Sequence, residues 1–316
     1  MTTTKTGKAF AKINLSLDIK SKMDDGYHYL QTIMQTVGLC DEITVNCKKH
    51  EAPSHPAPTS SEHSPPTPSH PVPHEHNRII VNAGSPFVPN NEQNIAAKAA
   101  ATFLKHTGIT GYQIKIRIIK KIPVCAGLGG GSADAACVLR ILDEMFETAL
   151  GRENLEKLAY EIGADVPFCV DGGTKLAEGR GEILTDLPPM PHSRIVICKP
   201  QFFYSTQELF GRIRCKNIHV RPNTDDLISA IKNGGIGDVA RRMYNVFEDF
   251  LPRGKREIDS IKGTLLEHGA LGASMTGSGP TVFGLFDNSV FAENAYKALS
   301  ENYEEVYITE AKGEVL

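Results

Sequence analysis

No uninterrupted apolar run in this sequence reaches the roughly 18 to 20 residues that cross a bilayer, which argues against a helical membrane span. The opening residues MTTTKTGK carry no apolar signal-peptide core, so a cytoplasmic chain is expected. Charge of one sign is also scarce. The 34 Lys and Arg against 37 Asp and Glu leave a net −3, which speaks against a nucleic-acid partner bound by phosphate neutralisation but leaves room for a local basic cleft. The seven cysteines form no C-x-x-C pair, so free or buried thiols in a reducing compartment are expected rather than a zinc site or a disulfide framework. What remains is a chain of 316 residues, 41% hydrophobic and 22% charged, the balance of a soluble globular protein long enough for two domains.

The densest chemical signal lies between Lys120 and Leu139, KKIPVCAGLGGGSADAACVL. Gly127, Gly129, Gly130 and Gly131 free a short loop from every Cβ, so its N–H groups can close on a ligand. A helix is expected from Ser132, with Ala136, Cys137, Leu139, Ile141 and Met145 on its apolar face and Asp134 in its first turn. A glycine loop feeding a helix N-terminus is an anion site, most naturally for phosphate. It is not the Walker loop, because Ser132 stands five residues after Gly127 and no lysine follows. The dinucleotide pattern fails at the same serine. A flexible turn before a core helix would not need three consecutive glycines.

Along the rest of the chain, Lys8 to Lys20 alternates Ala9, Ala11, Ile13, Leu15, Leu17 and Ile19 with Lys12, Asn14, Ser16 and Asp18. That period predicts a half-buried strand, and by itself it reads the polar residues as a solvated face. The block Asp25-Gly26-Tyr27-His28 follows, with Leu30, Gln31, Thr32 and Gln35, and offers an aromatic and an imidazole to a ligand. Lys48 to Asn77 is made of Pro, Ser, Thr and His, which predicts a disordered excursion between strands at 42–46 and 78–82; its histidines specify no metal geometry. Asn94 is a plausible N-cap for a helix ending at Gly108, and Gln113 to Ile119 a strand. Lys120 and Lys121 fit either nucleotide binding or a solvated strand end. After a helix over 154–162, Asp165 stands among apolar residues in G-A-D-V-P-F, where a carboxylate calls for a cationic partner unless it merely caps a turn. Arg194 to Lys199 is a buried-type strand, and Phe202 and Phe203 read as core. Helices are expected over 225–251 and 256–268, with Asn245 and Glu248 as polar contacts at a cleft. Thr276-Gly277-Ser278-Gly279-Pro280 forms a second small-residue loop, suited to close approach of substrate or of the first loop. A helix over 289–302 and a strand over 305–311 close a strand and helix order that does not strictly alternate, which predicts an α+β fold.

The stretch P-x-x-x-G-L-G-G-G-S resembles the ATP loop of the GHMP kinase superfamily. Together with A-K-I-N-L, D-G-Y-H, G-A-D-V-P-F and T-G-S-G-P, in that order from Phe10 to Phe286, the chain is similar to the family that phosphorylates a cytidine diphosphate-linked methylerythritol in the non-mevalonate isoprenoid route. The resemblance implies a two-domain GHMP kinase fold with the active site in the cleft between domains. A ribosomal protein S5 domain 2-like N-terminal domain would cover residues 1–175, with 48–77 inserted, and a ferredoxin-like substrate-binding domain residues 176–316. It implies ATP and Mg2+, held by Pro123, Val124, Cys125, Ala126, Gly127, Leu128, Gly129, Gly130, Gly131, Ser132 and Ala133, with Asn94 beside the adenine and Ser132 as metal ligand. Lys12 and Asp165 would be catalytic, Asp165 as general base and Lys12 as its partner. Asn14, Tyr27, His28, Tyr204, Thr276 and Gly277 would hold the acceptor substrate, with Tyr27 and Tyr204 stacking on opposite faces of the cytosine. The partner is then a small molecule, with no nucleic acid and no membrane, and the chain a monomer or homodimer. Two alternatives stay open. A sister kinase for mevalonate, homoserine or a sugar would share the loop but have no use for Tyr27, His28 and Tyr204. A catalytically silent binding regulator would be expected to have lost Lys12 or Asp165.

Overall fold

In the computed structural model, which describes residues 2–49 and 77–315, the chain opens with two long antiparallel strands, β1 (Thr2–Lys22) and β2 (His28–Lys49). The connection between them turns at Gly26, whose φ of 87° suits a residue without Cβ. β3 (Arg78–Asn82), β4 (Tyr112–Ile119), β5 (Thr174–Gly179), β6 (Ile183–Asp186) and the two-residue β8 (Tyr244–Asn245) complete a seven-stranded sheet ordered β3-β4-β2-β1-β8, with β5 pairing on β2 and β6 on β5. A second sheet has the order β11-β7-β10-β9, from β7 (Arg194–Lys199), β9 (Gly272–Met275), β10 (Val282–Phe286) and β11 (Glu305–Glu310). It is antiparallel throughout. Pairing in the first sheet is antiparallel except for β3 on β4 and β8 on β1, which bears out the α+β expectation.

Four helices fall between β3 and β5 in the chain: α1 (Ile95–Thr107), α2 (Gly130–Met145), α3 (Gly151–Ile162) and α4 (Val166–Asp171). Asn94 caps α1 by accepting from the Ala96 N–H at 2.9 Å, and Gly108 ends it in the left-handed region. Ala96, Ala97, Ala99 and Ala100 are buried, and a side chain of that size lets α1 lie close against α2. The remaining helices are α5 (Thr206–Arg212), α6 (Thr224–Lys232), α7 (Ile236–Arg241), α8 (Lys255–Glu267) and α9 (Ser289–Ser300). The second core joins β7, β10, α8 and α9 through Val196, Cys198, Ile258, Ile261, Leu265, Val282, Ala292 and Leu299.

Several expectations are corrected. β1 is buried on both faces between Ala11 and Ile19: Lys12, Asn14, Ser16 and Asp18 are at most 4% exposed, because residues of the second half of the chain cover the polar face. β2 and β3 are not partners, since β4 lies between them. Of the Pro- and His-rich insertion, residues 50–76 and with them the histidines lie outside the described residues. At its edges Lys48 and Lys49 extend β2, and the Asn77 side chain bonds Ile109 O at 2.7 Å and the Tyr112 N–H at 3.0 Å. The helix expected over 225–251 is broken at Asn233-Gly234-Gly235 and gives way to β8 and a 3₁₀ turn, Val246–Phe250. The second sheet begins at Arg194, beyond β5, in which residue 175 lies.

Candidate active site

The site is built where β1 breaks its register with β2. A bulge between Phe10 and Lys12 lets the Lys12 N–H donate to Leu128 O in the glycine loop at 3.0 Å. The Lys12 ammonium, 5% exposed, donates to Asn14 Oδ1 at 2.7 Å and lies 3.5 Å from Asp165 Oδ2. Asp165 stands at the head of α4 with Pro167 two residues on, yet its side chain makes no capping bond, so the carboxylate is free for other use. It is 41% exposed and faces the cleft. Burial is therefore a weaker reason for its cationic partner than the flanking sequence implies.

The glycine loop owes its composition to what it touches. Gly127 has φ 77°, and a Cβ there would fall 2.3 Å from Thr276 O; at Gly129, φ 67°, a Cβ would meet Lys12 Cγ at 3.0 Å. Across from them Gly277, φ 56°, would place a Cβ 2.8 Å from Gly127 O. The second small-residue loop thus packs backbone to backbone on the first. α2 begins at Gly130, two residues before the expected Ser132, so Gly130, Gly131 and Ser132 supply its opening N–H groups at the cleft wall. Pro123, Val124, Cys125, Ala126, Gly127, Leu128 and Gly129 line the same wall, while Ala133 is buried behind it.

Asp134 is not in the first turn of α2 but beneath it. Its carboxylate meets Lys120 at 2.9 Å, Lys120 also meets Asp41 at 2.5 Å, and Asp41 accepts from the N–H groups of Lys121 and Ile122. Burial pushes the Asp134 carboxyl up to about 8 against the pull of Lys120. Burial works against the Lys120 ammonium too, but Asp134 and Asp41 outweigh it and hold it above its ordinary range. Lys120 is therefore a half-buried strut at the entry to the loop, its side chain 11% exposed at the cleft, and Lys121 is exposed. Behind the loop, Arg140 of α2 donates to Cys169 O at 2.7 Å and Val170 O at 2.9 Å in α4, and to Lys8 O at 3.2 Å in β1.

At the other end of the cleft Tyr27 is 58% exposed, and the Arg180 guanidinium, paired with Asp25, sits 3.9 Å over its ring. His28 stacks on Phe210 with centroids 5.2 Å apart and planes 27° from parallel. Burial, with Lys22 nearby, lowers the His28 pKa, so the neutral imidazole is favoured.

Tyr204 does not fill the place expected of it. It borders the cleft but is only 5% exposed, held in the second core with its hydroxyl donating to Arg253 O at 2.6 Å and Phe202 edge-on against it, so little of its ring is open to a base. The aromatic opposite His28 is Phe210, on the unanticipated helix α5; the spacing of Ser205, its N-cap, and Glu208 was the available signal. Phe203 is exposed at the cleft rather than core. Thr276 is fully buried, accepting from the Asn14 N–H at 3.0 Å, and so supports the site from below. Asn245 and Glu248 act likewise. Asn245 donates to Met275 O and Gly277 O, and Glu248 accepts from the Met275 N–H at 2.8 Å, which holds the second loop from behind. Asn94 borders the cleft, but its amide is engaged with Ala96 and Pro89.

One continuous cleft of about 1980 Å³ joins the glycine loop, the Lys12 and Asp165 pair and the aromatic end. A pocket for a single small ligand holds ~300 to 1,000 Å³, so this one has room for two. Among the described residues no helix is long and apolar enough to cross a membrane, and no group of three or more His, Cys, Asp or Glu could hold a metal.

The sequence matches the GHMP kinases N terminal domain over residues 94–173 and the GHMP kinases C terminal domain over 227–305. Fold and site together define a GHMP kinase, a phosphotransferase that uses ATP. The 4-diphosphocytidyl-2-C-methyl-D-erythritol kinase of Clostridium botulinum strain Langeland is 40% identical over 96% of this chain and 98% of its own. That of Caldicellulosiruptor saccharolyticus is 41% identical over 96% and 95%. The chain belongs to the 4-diphosphocytidyl-2-C-methyl-D-erythritol kinase family. A crystal structure of 4-(cytidine 5'-diphospho)-2C-methyl-D-erythritol kinase superposes with a TM-score of 0.75 at 28% identity, covering 98% of this chain and 100% of that one. Homoserine kinase from Cytophaga hutchinsonii, at 20% identity and a TM-score of 0.70 over 98% and 95%, shares the fold.

Proposed function

We propose that this chain transfers the γ-phosphoryl group of ATP to the 2-hydroxyl of 4-(cytidine 5'-diphospho)-2-C-methyl-D-erythritol, giving the 2-phosphate and ADP in the non-mevalonate route to isoprenoid precursors. The observation that carries the reading is the approach of Lys12 to Asp165 at 3.5 Å, between the glycine loop and an aromatic-lined end of the same cleft. Phosphoryl transfer asks a protein mainly for positioning and charge neutralisation. The opening N–H groups of α2 hold the triphosphate, and the helix dipole favours its charge. The Ser132 hydroxyl, partly exposed at that wall and bonded to no other group among the described residues, fits a Mg2+ ion that keeps most of its ligands from phosphate and water. When bound, the ion supplies charge neutralisation.

Asp165 takes the proton from the acceptor hydroxyl, and Lys12 holds that carboxylate in line while offsetting charge on the transferred group. Asn14 fixes the ammonium at 2.7 Å. His28, Phe210 and the open side of Tyr27 form the walls for the cytosine, and the neutral His28 can both donate and accept at a base edge. Arg180, 3.9 Å from the Tyr27 ring centroid, is a cation of this end of the cleft that can reach the diphosphate. We divide the chain at 187–193, with ATP bound mainly by the first part and the nucleoside end by both. Every group in this scheme comes from one chain, in keeping with a monomer or homodimer, and two charged, membrane-impermeant nucleotides suit a cytoplasmic enzyme.

ADP release with a panel of alcohol acceptors tests the assignment. Turnover is expected with the cytidylyl diphosphate and not with mevalonate, homoserine or galactose. Turnover with one of those three and none with the cytidine compound refutes it.

A further inference from the structure

We propose that Thr32 is a positioning residue for the transfer step, acting on Lys12 through Asn14; the inference rests on the roles given to Lys12 and Asp165. Thr32 lies on β2, 3% exposed, with its hydroxyl committed on two sides. Its one proton goes to Ser16 O at 2.5 Å, a carbonyl that can only accept. Toward Asn14 the same oxygen is therefore an acceptor, and it meets the amide nitrogen at 2.8 Å. That settles which end of the amide faces Lys12. The carbonyl oxygen Oδ1 receives the ammonium at 2.7 Å.

A reversed amide would set an NH2 group against the ammonium and a carbonyl against a hydroxyl oxygen with no proton left to give. Both contacts are repulsive. Thr276, on the other side of Asn14, does not impose this choice. It accepts from the Asn14 backbone N–H at 3.0 Å, and its proton has two acceptors in reach, Asn14 Oδ1 at 3.2 Å and Gly127 O at 3.3 Å. Either end of the amide is tolerated there. Thr276 pins the backbone of Asn14, and Thr32 orients its side chain. The ammonium beside Asp165 is thereby aimed by a hydroxyl two residues removed from it in the hydrogen-bond chain.

The test replaces Thr32 in the full chain. Thr32→Val keeps the β-branched shape and removes the hydroxyl, and an ammonium displaced by a fraction of an ångström to an ångström is expected to lower kcat between about 10-fold and 100-fold. KM for ATP should stay within about 2-fold, since the N–H groups of the glycine loop are untouched. Thr32→Ser restores the hydroxyl and should regain most of the lost turnover. Should the valine variant fail to fold, Thr32→Ala is measured against Thr32→Ser in the same way. Thr32→Val with wild-type turnover per folded molecule, a serine variant as slow as the valine one, or a defect confined to KM for ATP overturns the inference. The wild type run alongside separates the two levels. A wild type without turnover on any acceptor overturns the kinase reading and this inference with it, whereas an active wild type with an equally active valine variant overturns this inference alone.

Discussion

Asp165→Asn puts the central assignment under the most direct strain. The substitution is isosteric, and the carboxylate it removes makes no capping bond and is 41% exposed, so little of the fold depends on it. Its link to Lys12 spans 3.5 Å, too long for a good hydrogen bond, which leaves a charge interaction. By Coulomb's law that is worth about 1.2 kcal/mol at a dielectric constant of 80 and about 4.7 kcal/mol at 20. The carboxylate is nearly half in water, which screens the pair toward the lower end, but the ammonium is only 5% exposed, so the loss exceeds that of a fully exposed pair. Lys12 keeps its bond to Asn14 at 2.7 Å, so the amine should stay in place. Stability should therefore fall by about 1 to 2 kcal/mol. Catalysis should suffer far more, because an amide cannot accept the proton of a poorly acidic tertiary alcohol. Loss of a general base costs roughly 10² to 10⁴ in rate. The assay is ADP release at saturating ATP and cytidylyl acceptor, with thermal unfolding as control and KM for ATP expected within about 3-fold. A folded Asp165→Asn enzyme with turnover within about 3-fold of wild type would refute the reasoning, since no general base contributes so little.

Gly127→Ala should destabilise the chain by about 1 to 3 kcal/mol, from the left-handed φ and the clash with Thr276 O, and abolish most turnover; a melting temperature within error of wild type would contradict the packing of the two loops. Phe210→Ala should raise KM for the cytidylyl acceptor about 5-fold to 150-fold while leaving KM for ATP alone, as loss of one base stack worth about 1 to 3 kcal/mol requires. Tyr204→Leu, which removes the ring and its bond to Arg253 O, should cost about 2 to 4 kcal/mol of stability and leave that KM unmoved; the reverse pattern for these two variants would return the stacking role to Tyr204. Arg152 and Lys175 beside Asp186 lower its carboxyl from 3.8 to about 2 in the folded chain. The unfolded chain therefore binds that proton more tightly, and the contribution is complete above pH 3.8 and lost as pH falls toward 2. Asp186→Asn should flatten that part of a urea-midpoint against pH curve, and an unchanged acid limb would show the carboxylate to be idle.

Local chemistry made the glycine loop, the capped helix α1 and the carboxylate in G-A-D-V-P-F legible from the residues, because each depends on neighbours a few positions away. The α+β class followed from the order of elements. What stayed hidden depended on distant parts of the chain. Period two in β1 marks Lys12 and Asn14 as one face, but only the folded chain shows that face covered by Thr276 and Asn245 and its neighbours, more than two hundred residues away. The long helix expected from Asp225 failed at the Asn-Gly-Gly break, and the residues after it pair with β1 instead. Tyr204 and Phe210 differ by six positions, and nothing in composition says which of two aromatics on either side of a helix start turns to the cleft. That choice is made when Leu209 and Tyr204 enter the second core and leave Phe210 over His28.

The three carbonyls gathered by Arg140 have a consequence for how the enzyme can be inhibited. One guanidinium ties together β1, α4 and α2, the elements that carry or adjoin Lys12, Asp165 and the glycine loop. On the roles proposed above, a compound wedged beneath that loop would disturb Lys12 and Asp165 together without touching either.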